Sequence, residues 1–268
     1  MKISLSMRFL SFVLAPLFAV AIATIPVAAH AATVQYQLDV INTWSVDTHP
    51  GDAFPTTGFG HFSWLGGATH NSGVSFWSEG SFASPGTVRM AERGNTATLI
   101  DEVDQAIVAG SAGRALDWRH WFCPSGETNV NCGATTVFFN IDTDFPLVTL
   151  ATMIGPSPDW FVGVSGLALF DGTNWLTDVL VDLFPYDGGS QSANIFELTG
   201  DGTADPTDQI TLITANSGQL VGPGSLGSMR FTLIAPIPLP AAFPLFATAL
   251  AGMGLLGWRR KRKASASV

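Results

Sequence analysis

Pro156-Ser157-Pro158-Asp159-Trp160-Phe161-Val162-Gly163-Val164-Ser165-Gly166 and Val181-Asp182-Leu183-Phe184-Pro185-Tyr186-Asp187-Gly188-Gly189 decide how this chain is read. In the first, a proline turn bearing one acid runs into a short apolar segment. In the second, an apolar segment runs into a proline turn bearing one acid. Short apolar runs bounded by Pro, Gly and Asp read as buried strands joined by turns. Asp159 and Asp187 each stand beside an aromatic residue and close to a proline. Solubility alone does not require acids in such company, so the two turns are read together as one site.

The same alphabet extends outward. Val34, Tyr36, Leu38 and Val40 alternate with more polar neighbours, as in a half-buried strand. Further strands are expected over 136–141, 147–154, 161–170, 177–184, 209–214 and 228–234. The aromatic, glycine-rich run His61 to Asn71 reads as a packed loop. One region, Thr87 to Ala109, has helical spacing. Leu99, Ile100, Val103, Ile107 and Val108 form its apolar stripe, and Gly94-Asn95 is placed to split it, with Asn95 capping the second half. Many short strands with Gly/Pro/Asp turns define the expected fold class: all-β with helical excursions, an antiparallel β-sandwich.

Both ends read as addresses. Lys2 and Arg8, the apolar run Phe9 to Val27 and the small residues Ala29-His30-Ala31 form a secretory signal over 1–31; a permanent N-terminal membrane helix is the other reading. At the other end, Pro236-Ile237-Pro238-Leu239-Pro240 leads into an uncharged segment, Ala241 to Trp258. Arg259-Arg260-Lys261-Arg262-Lys263 follows. The segment is near the lower limit for a C-terminal transmembrane helix, with the basic cluster on the cytoplasmic side. The tail, 236–268, resembles the PEP-CTERM sorting signal, with Pro238-Leu239-Pro240 in the place of Pro-Glu-Pro. That resemblance implies an exosortase-type processing enzyme, export, a transient membrane anchor and delivery to the cell surface or extracellular matrix. A plain membrane anchor is the alternative.

Between them lies one domain, 32–235. It holds five arginines, no lysine and all 21 acids of the chain, a formal charge of −16. Such a surface repels nucleic acid and favours cations or basic partners. Cys123 and Cys132 are the only cysteines. In an exported protein they are expected to form a local disulfide worth about 2–3 kcal/mol by loop-closure entropy. Neither a Cys-x-x-Cys pair nor clustered histidines accompany them to suggest a metal.

Read from the residues alone, Asp159 and Asp187 are either calcium ligands on neighbouring turns or caps for the turns' own N–H groups. Asp142 or Asp144 would add oxygens to the first reading. Asp201 to Asp208 has metal-like acid spacing but lacks the closing glutamate of a calcium loop, and reads as a solvated turn. No catalytic residues are expected. Ser63, Ser72, His61 and His70 lie outside any nucleophile-elbow pattern, and Glu79 with Glu92 is an unsupported glycosidase pair.

Across 33–235 the chain resembles the spondin N-terminal domain. The likeness is carried by His61-Phe62-Ser63, Gly67 to Asn71, Phe76-Trp77, Ala91 to Gly94, Pro156 to Val164 and Leu183 to Gly188, with weaker echoes at Pro206 to Thr211 and Met229 to Ile234. The resemblance implies a β-sandwich with calcium held by loops at one end. The family's acidic positions fall here on Asp159 and Asp187, and Gln191 stands where a third acid is common. The expected role is therefore an exported surface or matrix binding protein. Its expected partner is a surface glycan, an exopolysaccharide or a matrix protein. The alternatives are an extracytoplasmic polysaccharide hydrolase and a structural protein without functional metal.

Overall fold

The computed structural model describes residues 33–52, 60–214, 218–220 and 224–236. The signal segment 1–31, and the tail with its expected transmembrane helix beyond Pro236, lie outside the described residues. Among the described residues no helix is long and apolar enough to cross a membrane.

Two antiparallel sheets and two helices make three layers. The first sheet holds β1 (Val34–Asn42), β5 (Thr136–Ile141), β8 (Asp178–Leu183) and β11 (Gly227–Pro236), in the order β5-β1-β11-β8. The second holds β3 (Leu65–His70), β4 (Ala112–Trp118), β6 (Leu147–Gly155), β7 (Trp160–Ala168), β9 (Tyr186–Asp187) and β10 (Thr211–Leu212), in the order β10-β9-β7-β6-β3-β4, with β2 (His61–Phe62) paired to β6. The inner faces enclose the main core. Tyr36, Leu38, Phe139 and Phe231 of the first sheet meet Leu65, Leu150, Trp160 and Val162 of the second. Each such side chain contributes about 1.5–3 kcal/mol by leaving water. The outer face of the second sheet is covered by α1 (Pro85–Arg93) and α2 (Ala97–Val108): Met90 and Ala91 pack on Met153 and Phe161, while Leu99 and Val103 pack on Ala68.

This layering explains two contrasting patterns. β1 alternates buried and half-buried because one face meets solvent. β6 is buried along nearly its whole length because a sheet covers one face and helices the other, which removes the alternation from its sequence.

Several readings are corrected. The run His61 to Asn71 is not a loop but contributes β2 and β3. Its glycines suit a strand under close packing: a Cβ on Gly66 would stand 2.7 Å from Thr96 Cγ2, and one on Gly67 1.9 Å from Thr149 O. β4 lies in a stretch without alternation and pairs with β3 at the sheet edge. The helical region divides at Gly94-Asn95 as expected, but its first helix begins before Thr87, at Pro85. Ser84 caps the first, its Oγ accepting from Thr87 N at 3.1 Å, with Pro85 in the first turn and Gly94 at φ 62° ending it. Thr96, rather than Asn95, occupies the cap position of α2, though Asn95 Oδ1 accepts from Ala97 N. Within the predicted stripe Leu99 and Val103 are buried, whereas Val108 is 90% exposed at the helix end. The 209–214 strand is shorter than expected, only Thr211–Leu212.

Cys123 and Cys132 form the expected disulfide. It closes the loop that follows Phe122, which exchanges backbone hydrogen bonds with Phe62.

Candidate metal site

The two acidic turns meet at one corner of the second sheet. Ser157 shapes the first. Its Oγ accepts from Trp160 N at 3.1 Å and donates to Trp160 O, so Pro158 and Asp159 are held in a closed turn at the start of β7. Pairing of β7 with β9 then sets Trp160 opposite Asp187 and Phe161 opposite Tyr186. Gly188 N donates to Asp159 O at 3.1 Å. The glycines after Asp187 are needed for this approach. A Cβ on Gly188 would lie 2.9 Å from Asp159 O, and Gly189 has φ 72° with Asp208 O only 2.2 Å from a Cβ position.

Asp159 is fully buried. Its Oδ2 accepts three hydrogen bonds, from Ser190 N at 2.8 Å, Gln191 N at 2.9 Å and Ser190 Oγ at 3.1 Å. Its Oδ1 is buried and has no hydrogen-bond partner among the described residues. Burial pushes its pKa up to about 6, and the nearby negative Asp187 adds to this; the N–H groups of Gln191 and Ser190 work in the opposite direction. Asp187 is itself raised, chiefly by burial, against the Gly189 N–H that its Oδ1 accepts at 2.8 Å, with Asp208 adding repulsion. Three acids thus press on one corner, and no arginine relieves them: among the described residues the ion pairs are Arg119–Asp117 and Arg230–Asp178.

Gln191 is divided between two roles. Its main-chain N–H serves Asp159, while its side chain turns away. Nε2 donates to Glu92 Oε1 at 2.9 Å, and Oε1 accepts from Thr199 Oγ1. Glu92 is fully buried, and its Oε2 accepts from Gly202 N at 2.7 Å. The carboxylate imagined as half of a catalytic pair is therefore a clamp between α1 and the 191–202 loop. Glu79, its supposed partner, lies exposed in the segment before α1.

Other expected contributors are placed elsewhere. Asp142 accepts from Asp144 N and Phe145 N in the β5–β6 turn. That turn lies at the opposite end of the nine-residue β6 from Gly155, about 30 Å away at the usual rise per residue. Neither Asp142 nor Asp144 can join Asp159, which corrects the suggestion that they supply oxygens. Asp201 caps its own turn through Thr203, and those bonds hold its pKa below the ordinary range. Asp208, from the segment read as a solvated turn, is the acid that comes beside Asp187; the signal was its place just before the short strand that pairs with β9.

The serine and histidine candidates serve packing. Ser63 Oγ accepts from Met153 N at 3.1 Å. His70 is buried between Asn71 O and Thr149 Oγ1, at 2.8 and 2.7 Å, and burial lowers its pKa. His61 stacks on Trp121 at 3.8 Å.

Fit to a cation can be judged from the donors. Among the described residues no three His, Cys, Asp or Glu side chains gather as a metal-binding group. The Asp159–Asp187 pair nonetheless fits a hard cation, because it combines an unpartnered buried carboxylate oxygen with a second raised acid. The Gln191 amide, committed to Glu92 and Thr199, is not turned to that pair.

The class defined by these features is a β-sandwich with two covering helices and an acidic corner between β7 and β9. Residues 34–220 match the Spondin_N family, and the chain belongs to that family. It is similar to Spondin-2 from Homo sapiens, 32% identical over 186 residues, covering 69% of this chain and 54% of that protein. It is also similar to Spondin-1 from Gallus gallus, 32% identical over 188 residues, covering 68% of this chain and 22% of that protein. The chain thus spans about half the length of the Spondin-2 relatives and about a fifth of Spondin-1.

Proposed function

We propose that this is a non-catalytic binding module of the bacterial cell surface or extracellular matrix, whose acidic corner takes calcium. The observation that carries the metal reading is Asp159 Oδ1, a buried carboxylate oxygen without a partner among the described residues, beside the raised Asp187. Asp159 and Asp187 are the side chains that would hold the ion. A bound calcium would supply the positive charge that this corner otherwise lacks. The chain does the rest. Ser157 closes the turn before Asp159, Ser190 and Gln191 orient Oδ2, and Gly188–Gly189 let the two acidic turns approach. Relief of repulsion among Asp159, Asp187 and Asp208 would order β9 and the loop that follows it. The ordered loops would form or support a face for a surface glycan, an exopolysaccharide or a matrix protein.

Melting the purified full chain with calcium and with chelator tests the reading. A rise in Tm with calcium, lost in Asp187→Ala while the far-UV spectrum persists, is the expected result. Equal Tm values together with no heat of calcium binding would exclude the metal.

The address at the tail belongs to the same proposal. A reporter bearing residues 236–268 is expected to be cut only in cells that contain an exosortase-type enzyme. Stable membrane retention in those cells would leave the plain anchor.

A further inference from the structure

A groove runs between the two sheets on the side of β7 and β8, beside the acidic corner but distinct from it. β8 is the terminal strand of the first sheet, so among the described residues its outer edge has no strand partner. β7 pairs with β9 only through Trp160 and Phe161; from Gly163 onward it too has no strand on that side among the described residues. Between these edges lies a cavity of about 360 Å³ whose lining includes Val164 and Ser165 of β7 and Val181 and Asp182 of β8.

Its chemistry is selective. Trp77, Phe184 and Tyr186 give aromatic surface, with Phe184 39% exposed. Trp77 and Tyr186 rings meet edge-on at 5.1 Å, and Ser165 Oγ donates to Trp77 O, which fixes the indole at the groove wall. Trp77 is only 5% exposed, yet its Nε1 has no hydrogen-bond partner among the described residues. Glu79 and Asp182 add two exposed carboxylates to the lining, and no arginine or lysine lines it. Neither carboxylate makes a side-chain hydrogen bond or ion pair among the described residues. Glu79 lies close enough to Tyr186 to help raise its pKa, after burial.

We propose that this groove binds an extended segment of a partner protein carrying an arginine or lysine. Unpaired strand edges recognise peptide main chain by adding a strand. Glu79 and Asp182 neutralise the cationic head, which lies against the aromatic faces of Tyr186 and Phe184. The domain's charge of −16 steers such a segment inward and repels anionic polymers. The strand edges favour a peptide over an amino sugar, which would use the carboxylates but not the main chain. The site shares no side chain with the metal reading and stands without it.

The test uses isotope-labelled full chain and a blocked pentapeptide of alternating valine and arginine. Its partner probe carries neutral citrulline in place of arginine. Titrations are followed in amide spectra with calcium and with chelator. The expected result is a shift of the Trp77 indole N–H and of the 163–165 and 181–183 amides. The citrulline peptide is expected to bind about tenfold more weakly, a gap that closes in the Glu79→Gln, Asp182→Asn double variant. Both side chains are exposed, so the variant keeps its fold. Binding in either buffer supports the groove. Binding in neither overturns it, whatever the response of Tm to calcium. Equal affinity for the two peptides, or binding here by a glucosamine trimer but by neither peptide, would also overturn it.

Discussion

Glu92 and Asp159 are both fully buried carboxylates, and they are solved in opposite ways. Each oxygen of Glu92 has a donor: the Gln191 amide on Oε1 and Gly202 N on Oε2. Asp159 has three donors crowded on Oδ2 and, among the described residues, none on Oδ1. Burying a carboxylate is costly unless its lone pairs are matched. The Glu92 region is therefore complete as protein alone, a clamp between a helix and a loop. The Asp159 region leaves one buried carboxylate oxygen unmatched among the described residues. The difference separates the two acids more sharply than burial does, since burial is the same in both.

The comparison can be broken most forcefully at the clamp. Glu92→Ala leaves two donors facing a void in a packed corner. It is expected to cost about 3–5 kcal/mol in chemical denaturation while the calcium response of any folded fraction survives. A loss below about 1 kcal/mol would mean that water or neighbouring groups replace the carboxylate with ease.

At the other acid the sign reverses. The folded-state pKa of Asp159 is raised to about 6 from 3.8. The metal-free fold thus holds this proton more tightly than the unfolded chain does. Its stabilising share is fully present below about pH 4 and is lost as pH climbs through about 6, a difference on the order of 3 kcal/mol. Asp159→Asn is expected to flatten that decline in chelator and to abolish the gain on adding calcium. Melts across pH 4 to 7, wild type against variant, decide it; a wild-type decline that the variant shares would assign it to other groups.

The disulfide should matter less than either acid and independently of both. Replacing Cys123 and Cys132 by serine is expected to cost about 2–3 kcal/mol with the calcium response unchanged. Gln191→Ala gives the smallest effect, about 1 kcal/mol, because it removes one donor from Glu92 while its main-chain N–H continues to serve Asp159. If the calcium response fell together with that stability, Gln191 would belong to the metal corner and the two regions would not be separate.

Much of this was legible in order. The alternation of Val34 to Val40 and the β-rich, turn-bounded runs from Thr136 onward announced strands because each turns one face to the core. β3 was hidden, since Gly66 and Gly67 are dictated by neighbouring atoms rather than by a face. β4 was hidden because an edge strand with mixed burial carries no clean period. At the site, the proline turns and the two acids stood out in the sequence. The complete burial of Asp159, the turn of Gln191 towards Glu92 and the arrival of Asp208 did not, because they depend on segments far apart in the chain.

By itself, the sequence determined the class of domain, the disulfide between its only two cysteines, the acidic character of its surface and the two turns worth watching. These follow from local pattern and charge, which any segment carries with it. Tertiary structure alone decided which carboxylate is satisfied. A hydrogen-bond partner is a matter of position in space, and the β7–β9 pairing brings Ser190 and Gln191 to one oxygen of Asp159 and leaves the other without a donor among the described residues.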